Sequence, residues 1–188
     1  MRMRFKKVLL SMFLLSLAGS SVIFADTAVN KLRVTLNGSV LSESAIIMDD
    51  TAYVPLREVA KHFFAFVSWG DNKQVQINRP NIHMMTISGS TIFQGVEKGS
   101  TVTFYVLVHG EKLTTPISDA RMVIVDPYNS EKEIYAESNP ENVDVFRLRT
   151  KDVKYKFSHP GEYKIRLYMK PEGGNDWFLV SEKTIYAQ

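Results

Sequence analysis

The segment 51–77, TAYVPLREVAKHFFAFVSWGDNKQVQI, decides the fold of this chain. Ala52-Tyr53-Val54 reads as a short strand running into Pro55, which suits a first helical position because it has no N–H to satisfy there. Leu56, Val59, Ala60, Phe63 and Phe64 then recur at i, i+3, i+4, i+7 and i+8, one continuous apolar face of a helix. Arg57, Glu58, Lys61 and His62 take the opposite, solvated face. Beyond Ala65 the period changes to two. Phe66-Val67-Ser68-Trp69, a turn at Gly70-Asp71-Asn72, and Val75 and Ile77 alternating with Gln74, Gln76 and Asn78 predict a hairpin. Strand, helix and hairpin together make an α+β unit, and none of its residues forms a recognisable catalytic pattern.

The residues before it extend the same unit. Leu32, Val34 and Leu36 alternate with Arg33 and Thr35, a half-buried strand. Asn37-Gly38 is a tight-turn dipeptide, and Val40-Leu41 begins the return strand. Ala45-Ile46-Ile47-Met48 is a short apolar run stopped by Asp49-Asp50, an acidic pair read as a turn ahead of a calcium ligand.

With these pieces in place, 36–77 resembles the copper amine oxidase N-terminal-like module. The matching pieces are Leu36-Asn37-Gly38, Tyr53-Val54-Pro55-Leu56-Arg57, Val59-Ala60, Val67-Ser68-Trp69 and Val75-Gln76-Ile77. The resemblance implies a small stalk-like α+β domain over 28–80, of a kind found in exported and wall-associated proteins, mostly of Gram-positive bacteria. It implies a Trp69 that plugs the core and an Arg57 that anchors the hairpin through carbonyl groups. It implies no oxidase chemistry. The copper-ligating histidines and quinone tyrosine of that enzyme belong to a separate domain, and no Asn-Tyr-Asp/Glu sequence is present to supply the tyrosine. One departure matters: Phe64 stands where the family has Gly just after the helix. A left-handed cap is cheap for Gly and costly for Phe, so either the helix runs further or its exit is rebuilt around two aromatics.

The amino-terminal segment 1–25 reads as an address. Arg2, Arg4, Lys6 and Lys7 precede an apolar run over 8–25, and Asp26 opens polar sequence. That is the layout of a secretory signal peptide cut after Ala25, although Ile23 is larger than the residue usual three places from the end. The alternative is an uncut signal anchor. Cleavage reverses the charge. The whole chain carries 23 basic and 20 acidic residues, formally +3, and loss of the four basic residues leaves 19 against 20, or −1. The electrostatic case for nucleic acid disappears with the signal. No other stretch is long and apolar enough for a membrane span. The absence of cysteine excludes lipidation at the cut site, and in an exported chain it means a fold held by packing.

From Asn81 onward short strands recur. At 101–109, Val102, Phe104, Val106 and Val108 share one face, with Thr101, Thr103 and Tyr105 on the other. Further strands are predicted over 121–125, 133–136, 143–149, 154–157, 162–170 and 177–186, separated by turn clusters such as 126–130 and His159-Pro160-Gly161. Tyr163, Ile165, Leu167 and Met169 are expected to face inward. Seven or eight short strands in this length predict an all-β sandwich over 81–188, resembling the generic bacterial Ig-like class. The run Tyr155 to Tyr163, with its Pro-Gly-x-Tyr close, resembles the lead-in to a late strand of such domains.

Nothing in the sequence marks a catalytic, cofactor or metal site. His62, His83, His109 and His159 are scattered without ligand spacing. The segment 95–101 imitates a phosphate loop with the wrong spacing, and leads into a strand, so it reads as a turn. The aromatic residues Tyr105, Tyr128, Tyr135, Tyr168, Trp69 and Trp177 could include a sugar-stacking platform; against that, Trp69 and Trp177 are expected to fill the two cores. The functional expectation is an exported, non-enzymatic surface or cell-wall-associated binding or spacer protein, without cofactor, whose partner is a wall polymer or another exported protein. The alternative is an exported protease inhibitor presenting the polar segment 110–118 as a long loop.

Overall fold

Alternating side chains put one face of a strand against a core and the other against water, and in this chain that pattern governs almost the whole backbone. A computed structural model describes residues 30–41, 45–70, 73–141 and 143–188. The segment 1–25, expected from its sequence to be a signal peptide, lies outside the described residues, as do Asp71 and Asn72, expected in the hairpin turn. Among the described residues the fold is largely β: seventeen strands in five sheets, with a single short helix.

The first region carries strands β1 (Asn30–Leu32), β2 (Thr35–Leu36), β3 (Ser39–Val40), β4 (Ala45–Met48) and β5 (Thr51–Tyr53). β2 and β3 form a hairpin whose two turn residues, Asn37 and Gly38, both have positive φ, at 49° and 80°. Both central residues of a type I′ turn require that conformation. β1, β4 and β5 form an antiparallel sheet. Asp49 and Asp50 turn β4 into β5 in the same left-handed way, and Thr51 Oγ1 donates to the Asp49 carbonyl. Pro55 is the residue just outside helix α1 (Leu56–His62), one place earlier than expected. Strands β6 (Phe66–Trp69) and β7 (Val75–Asn78) form the second hairpin.

The helix does not run on through Phe64. Ala65 N–H donates to the Ala60 carbonyl at 2.9 Å and Phe64 N–H to that of Lys61 at 3.1 Å, with Phe64 at φ 56°. This is a Schellman cap in which Phe occupies the glycine position. The apolar face therefore stops early: Ala60 is buried, Leu56, Val59 and Phe64 are half-buried, and Phe63 is exposed.

Ten strands lie among the described residues of 81–188. They are β8 (Asn81–Ser88), β9 (Thr91–Ile92), β10 (Gly95–Val96), β11 (Thr101–Glu111), β12 (Ile117–Val125), β13 (Glu131–Ser138), β14 (Phe146–Arg149), β15 (Val153–Lys156), β16 (Gly161–Pro171) and β17 (Phe178–Ala187). One sheet has the order β10-β17-β16-β12-β13, with β10 parallel to β17. In the other, β11 pairs with β8 on one side and with β14 then β15 on the other. Thr150 spans the gap between β14 and β15. Its N–H donates to the Val106 carbonyl, and its Oγ1 accepts from Val106 N–H, both at 3.0 Å. The two sheets share one hydrophobic core, with Phe104, Val106 and Val108 from one and Met122, Ile124, Ile165 and Leu167 from the other.

Tyr163 is 1% exposed, and its hydroxyl accepts from His159 N–H at 3.0 Å and donates to the His159 carbonyl at 3.1 Å. The side chain thereby closes the turn that opens β16. Gly110 is buried because the Phe146 ring lies on it: a Cβ there would fall 2.0 Å from a ring carbon.

Packing is uneven along the chain. Among the described residues, the twelve largest fully buried side chains all lie at Thr86 or beyond, while 30–80 bury Leu41, Ala45, Ala60, Ala65, Phe66 and Pro80. Phe66 joins the core of the second region, its ring 5.5 Å from that of Phe178. Asn78 Nδ2 adds a hydrogen bond to Thr115 Oγ1 at 3.3 Å.

Candidate functional site

Phe66 fixes where the first region meets the second, and a cleft of about 950 Å³ opens beside that contact. One wall is α1 with β6; the other is β16, the turn after it and the start of β17. Strand alternation explains the wall on each side. Phe66 turns inward from β6 while Trp69 remains outside, and inward Met169 leaves Tyr168 on the outer face of β16.

Four aromatic residues line this cleft: Trp69 from the first region, Tyr168, Trp177 and Phe178 from the second. Trp69 is 58% exposed and Trp177 37% exposed. Neither plugs a core, which corrects the sequence expectation for both. The large buried rings are instead Phe66, Phe104, Phe157 and Tyr163, all in one core cluster. Trp69 is the last residue of a four-residue strand, and Trp177 stands just before the ten-residue β17.

Cations stand over these rings. The Arg57 guanidinium lies 5.9 Å from the Trp69 ring centre, so this side chain reaches the hairpin through its indole. Arg121 lies 5.2 Å from the Tyr168 ring and 4.8 Å from the Trp177 ring, and Lys170 is 5.6 Å from Trp177. Lys170 also pairs with Asp119. Its hydrogen bond, followed by those of Ser118 and Ser138, holds the Asp119 carboxyl below its ordinary range. Arg166, in the cleft wall, donates from Nε to Glu182 Oε2 at 2.8 Å, and Lys164 meets the other oxygen of Glu182 at 3.3 Å. Arg121 differs from both. Its Nε is buried without a hydrogen-bond partner.

A second cavity, of about 430 Å³, lies where β12, β13 and β14 approach one another, with Leu113, Phe146 and Leu148 in its lining. Tyr135 donates a hydrogen bond to Glu137 there. Burial first, and then that carboxylate, push the Tyr135 phenol above its ordinary range.

The histidines are less scattered in space than in sequence. His83 and His109 are register partners on β8 and β11, and His109 Nε2 is 3.2 Å from Glu111 Oε1. His109, and then Asn81, hold the Glu111 carboxyl low. Among the described residues no three His, Cys, Asp or Glu side chains gather as metal ligands. The period-two spacing of His109 and Glu111 was visible in the sequence; the pairing with His83 needed β8, which was not anticipated.

The loop expected over 110–118 is much shorter. β11 runs through Glu111 and β12 starts at Ile117, leaving 112–116 between them. That loop is tied down: Leu113 N–H donates to the Asp144 carbonyl, and Glu172 N–H to that of Pro116.

Compared with known proteins, the chain matches no protein-family model and no curated protein.

Proposed function

We propose that this chain is an exported, non-catalytic binding protein of the bacterial surface or cell wall, which takes the sugar chain of a wall polymer in the cleft beside Phe66. In this reading 28–80 is a stalk-like module of the copper amine oxidase N-terminal kind, and 81–188 is an Ig-like sandwich. The export segment and the resemblance over 36–77 support location and module. Two five-stranded sheets around one core, and a Tyr163 that closes its own corner, support the sandwich.

The observation that carries the function is the pair of exposed indoles, Trp69 and Trp177, lining one cleft from two regions of the chain. Leaving these two rings partly in water forgoes a share of the burial free energy that each could supply, and ring faces are the natural platform for the apolar faces of sugars. The test is retention on purified Gram-positive wall material. Wild type is expected to be retained, and Trp69→Ala and Trp177→Ala are each expected to weaken retention about tenfold. Equal retention of all three proteins would remove the cleft from the argument.

A further inference from the structure

The sequence 147–156, RLRTKDVKYK, holds five basic residues and one acidic, in a chain that is close to neutral once 1–25 is set aside. β14 and β15 are built from this run and pair in turn with β11, so together they form one edge of their sheet. Register decides where the charges point. Arg147 and Arg149 stand beside His109 and Leu107, and Lys154 and Lys156 beside Thr103 and Thr101. These are the positions of β11 that face away from buried Phe104, Val106 and Val108. All four cations are exposed, while Leu148, Val153 and Tyr155 between them pack on the core. Outward residues two apart on a strand are separated by about 7 Å, so the four form a row about 27 Å long. Arg149 leans across the Tyr105 ring, its guanidinium 3.8 Å from the centre, toward the gap in the middle of that row.

Little on this face answers the charge. Among the described residues, the outward positions of β8, β11, β14 and β15 hold one carboxylate, Glu111, and His109 and Asn81 engage it. Asp152, between β14 and β15, pairs with Arg149 at 2.9 Å. Arg147, Lys154 and Lys156 have no ion pair among the described residues. Guarding an exposed edge against strand pairing requires charge, but not one sign of it. β13, an edge of the opposite sheet, mixes Lys132 with Glu131, Glu133 and Glu137. The single sign along β14 and β15 goes beyond edge protection.

We propose that this row is a second contact surface, on which a linear polyanion lies along the β14–β15 edge, and that the polyanion is a polyol phosphate of the wall. A line of like charges complements a chain whose opposite charges repeat; Arg offers phosphate a forked set of donors and Lys a flexible point charge. The columns beside the row, on β11 and β8, add no outward lysine or arginine. The charge is thus a line, not the broad field that suits an anionic bilayer. The choice of polymer rests on the wall reading above, whereas the row shares no residue with the cleft.

The test titrates the purified protein with poly(glycerol phosphate), with dextran of matched length, and with phosphatidylglycerol vesicles, at several salt concentrations. The variants are the doubles Arg147→Gln/Arg149→Gln and Lys154→Gln/Lys156→Gln. Lys31→Gln/Arg33→Gln makes the same change of net charge off the row, and unfolding midpoints establish that each variant is folded. Poly(glycerol phosphate) is expected to bind about tenfold or more above dextran, and each row double to weaken it about tenfold and flatten its salt dependence. The Lys31/Arg33 double and Trp177→Ala are expected to leave that binding within about twofold of wild type. An equal loss in the Lys31/Arg33 double would reduce the effect to net charge and overturn the row. Binding of vesicles without binding of the soluble polymer overturns the polymer assignment. Failure of poly(glycerol phosphate) to bind at low salt, with wall retention still dependent on Trp69 and Trp177, overturns this proposal and leaves the cleft standing.

Discussion

Phe64 shows how one residue can carry strain inside a well-formed motif. A non-glycine residue at positive φ costs on the order of 1 kcal/mol, and the half-buried ring offsets a similar amount. Phe64→Gly is expected to change stability by less than about 1 kcal/mol, whereas Phe64→Val, β-branched at the same φ, is expected to cost at least about 1 kcal/mol in denaturant unfolding. Gly110 sets the opposite constraint. A methyl group there meets the Phe146 ring, so Gly110→Ala is expected to cost about 1–3 kcal/mol, and much less in the background of Phe146→Ala. Additive losses in that double-mutant cycle would show that ring and glycine are not coupled. At Asp119 the depressed carboxyl gives a pH dependence. A folded-state pKa below the unfolded value, about 3.9, contributes stability that is present above about pH 4 and lost on acidification through the folded value. Asp119→Asn is expected to lower the thermal midpoint near neutrality, with the gap to wild type closing below about pH 3.

Strand β16 was the easiest element to read, because its apolar residues alternate without a break and the structure buries Tyr163, Ile165, Leu167 and Met169 as that pattern requires. Its first turn is closed by the Tyr163 hydroxyl. Tyr163→Phe is expected to cost about 1–2 kcal/mol, since both His159 backbone groups lose their partner. β11 was legible for the same reason as β16. β8 was not, although it lies beside β11: consecutive Met84 and Met85 blur the alternation, and Thr86 puts a hydroxyl on the core face. That hydroxyl is satisfied locally by the Phe93 carbonyl, a partner no spacing rule reveals. β9 and β10 are two residues each and carry no period. The end of α1 was missed by two residues because periodicity continues through Phe63 and Phe64 while the backbone has already turned left-handed. Exposure of the two indoles was illegible on different grounds. Residue type favours burial, and only the placement of segments about a hundred positions apart leaves both rings on a cleft.

At the scale of the whole molecule, residues 30–80 bury little of their own and attach to a larger core through Phe66. Phe66→Ala is expected to accelerate hydrogen exchange throughout α1, β6 and β7 while β11, β12 and β16 keep wild-type protection, because the ring contributes about 3–5 kcal/mol on the scale of buried phenylalanines. Uniform loss of protection across both regions would mean that the chain unfolds as one unit. The sheet order has a further consequence in time. β17 lies inside its sheet, between β10 and β16, so residues 178–187 complete a layer whose other strands precede them. A chain emerging amino end first, from a ribosome or through a pore, presents β16 with no partner on that side and β10 with none at all until the last of those residues is free. During that interval the apolar face of β16 is open to any holdase that meets it, and assembly of the core waits on the arrival of its final strand.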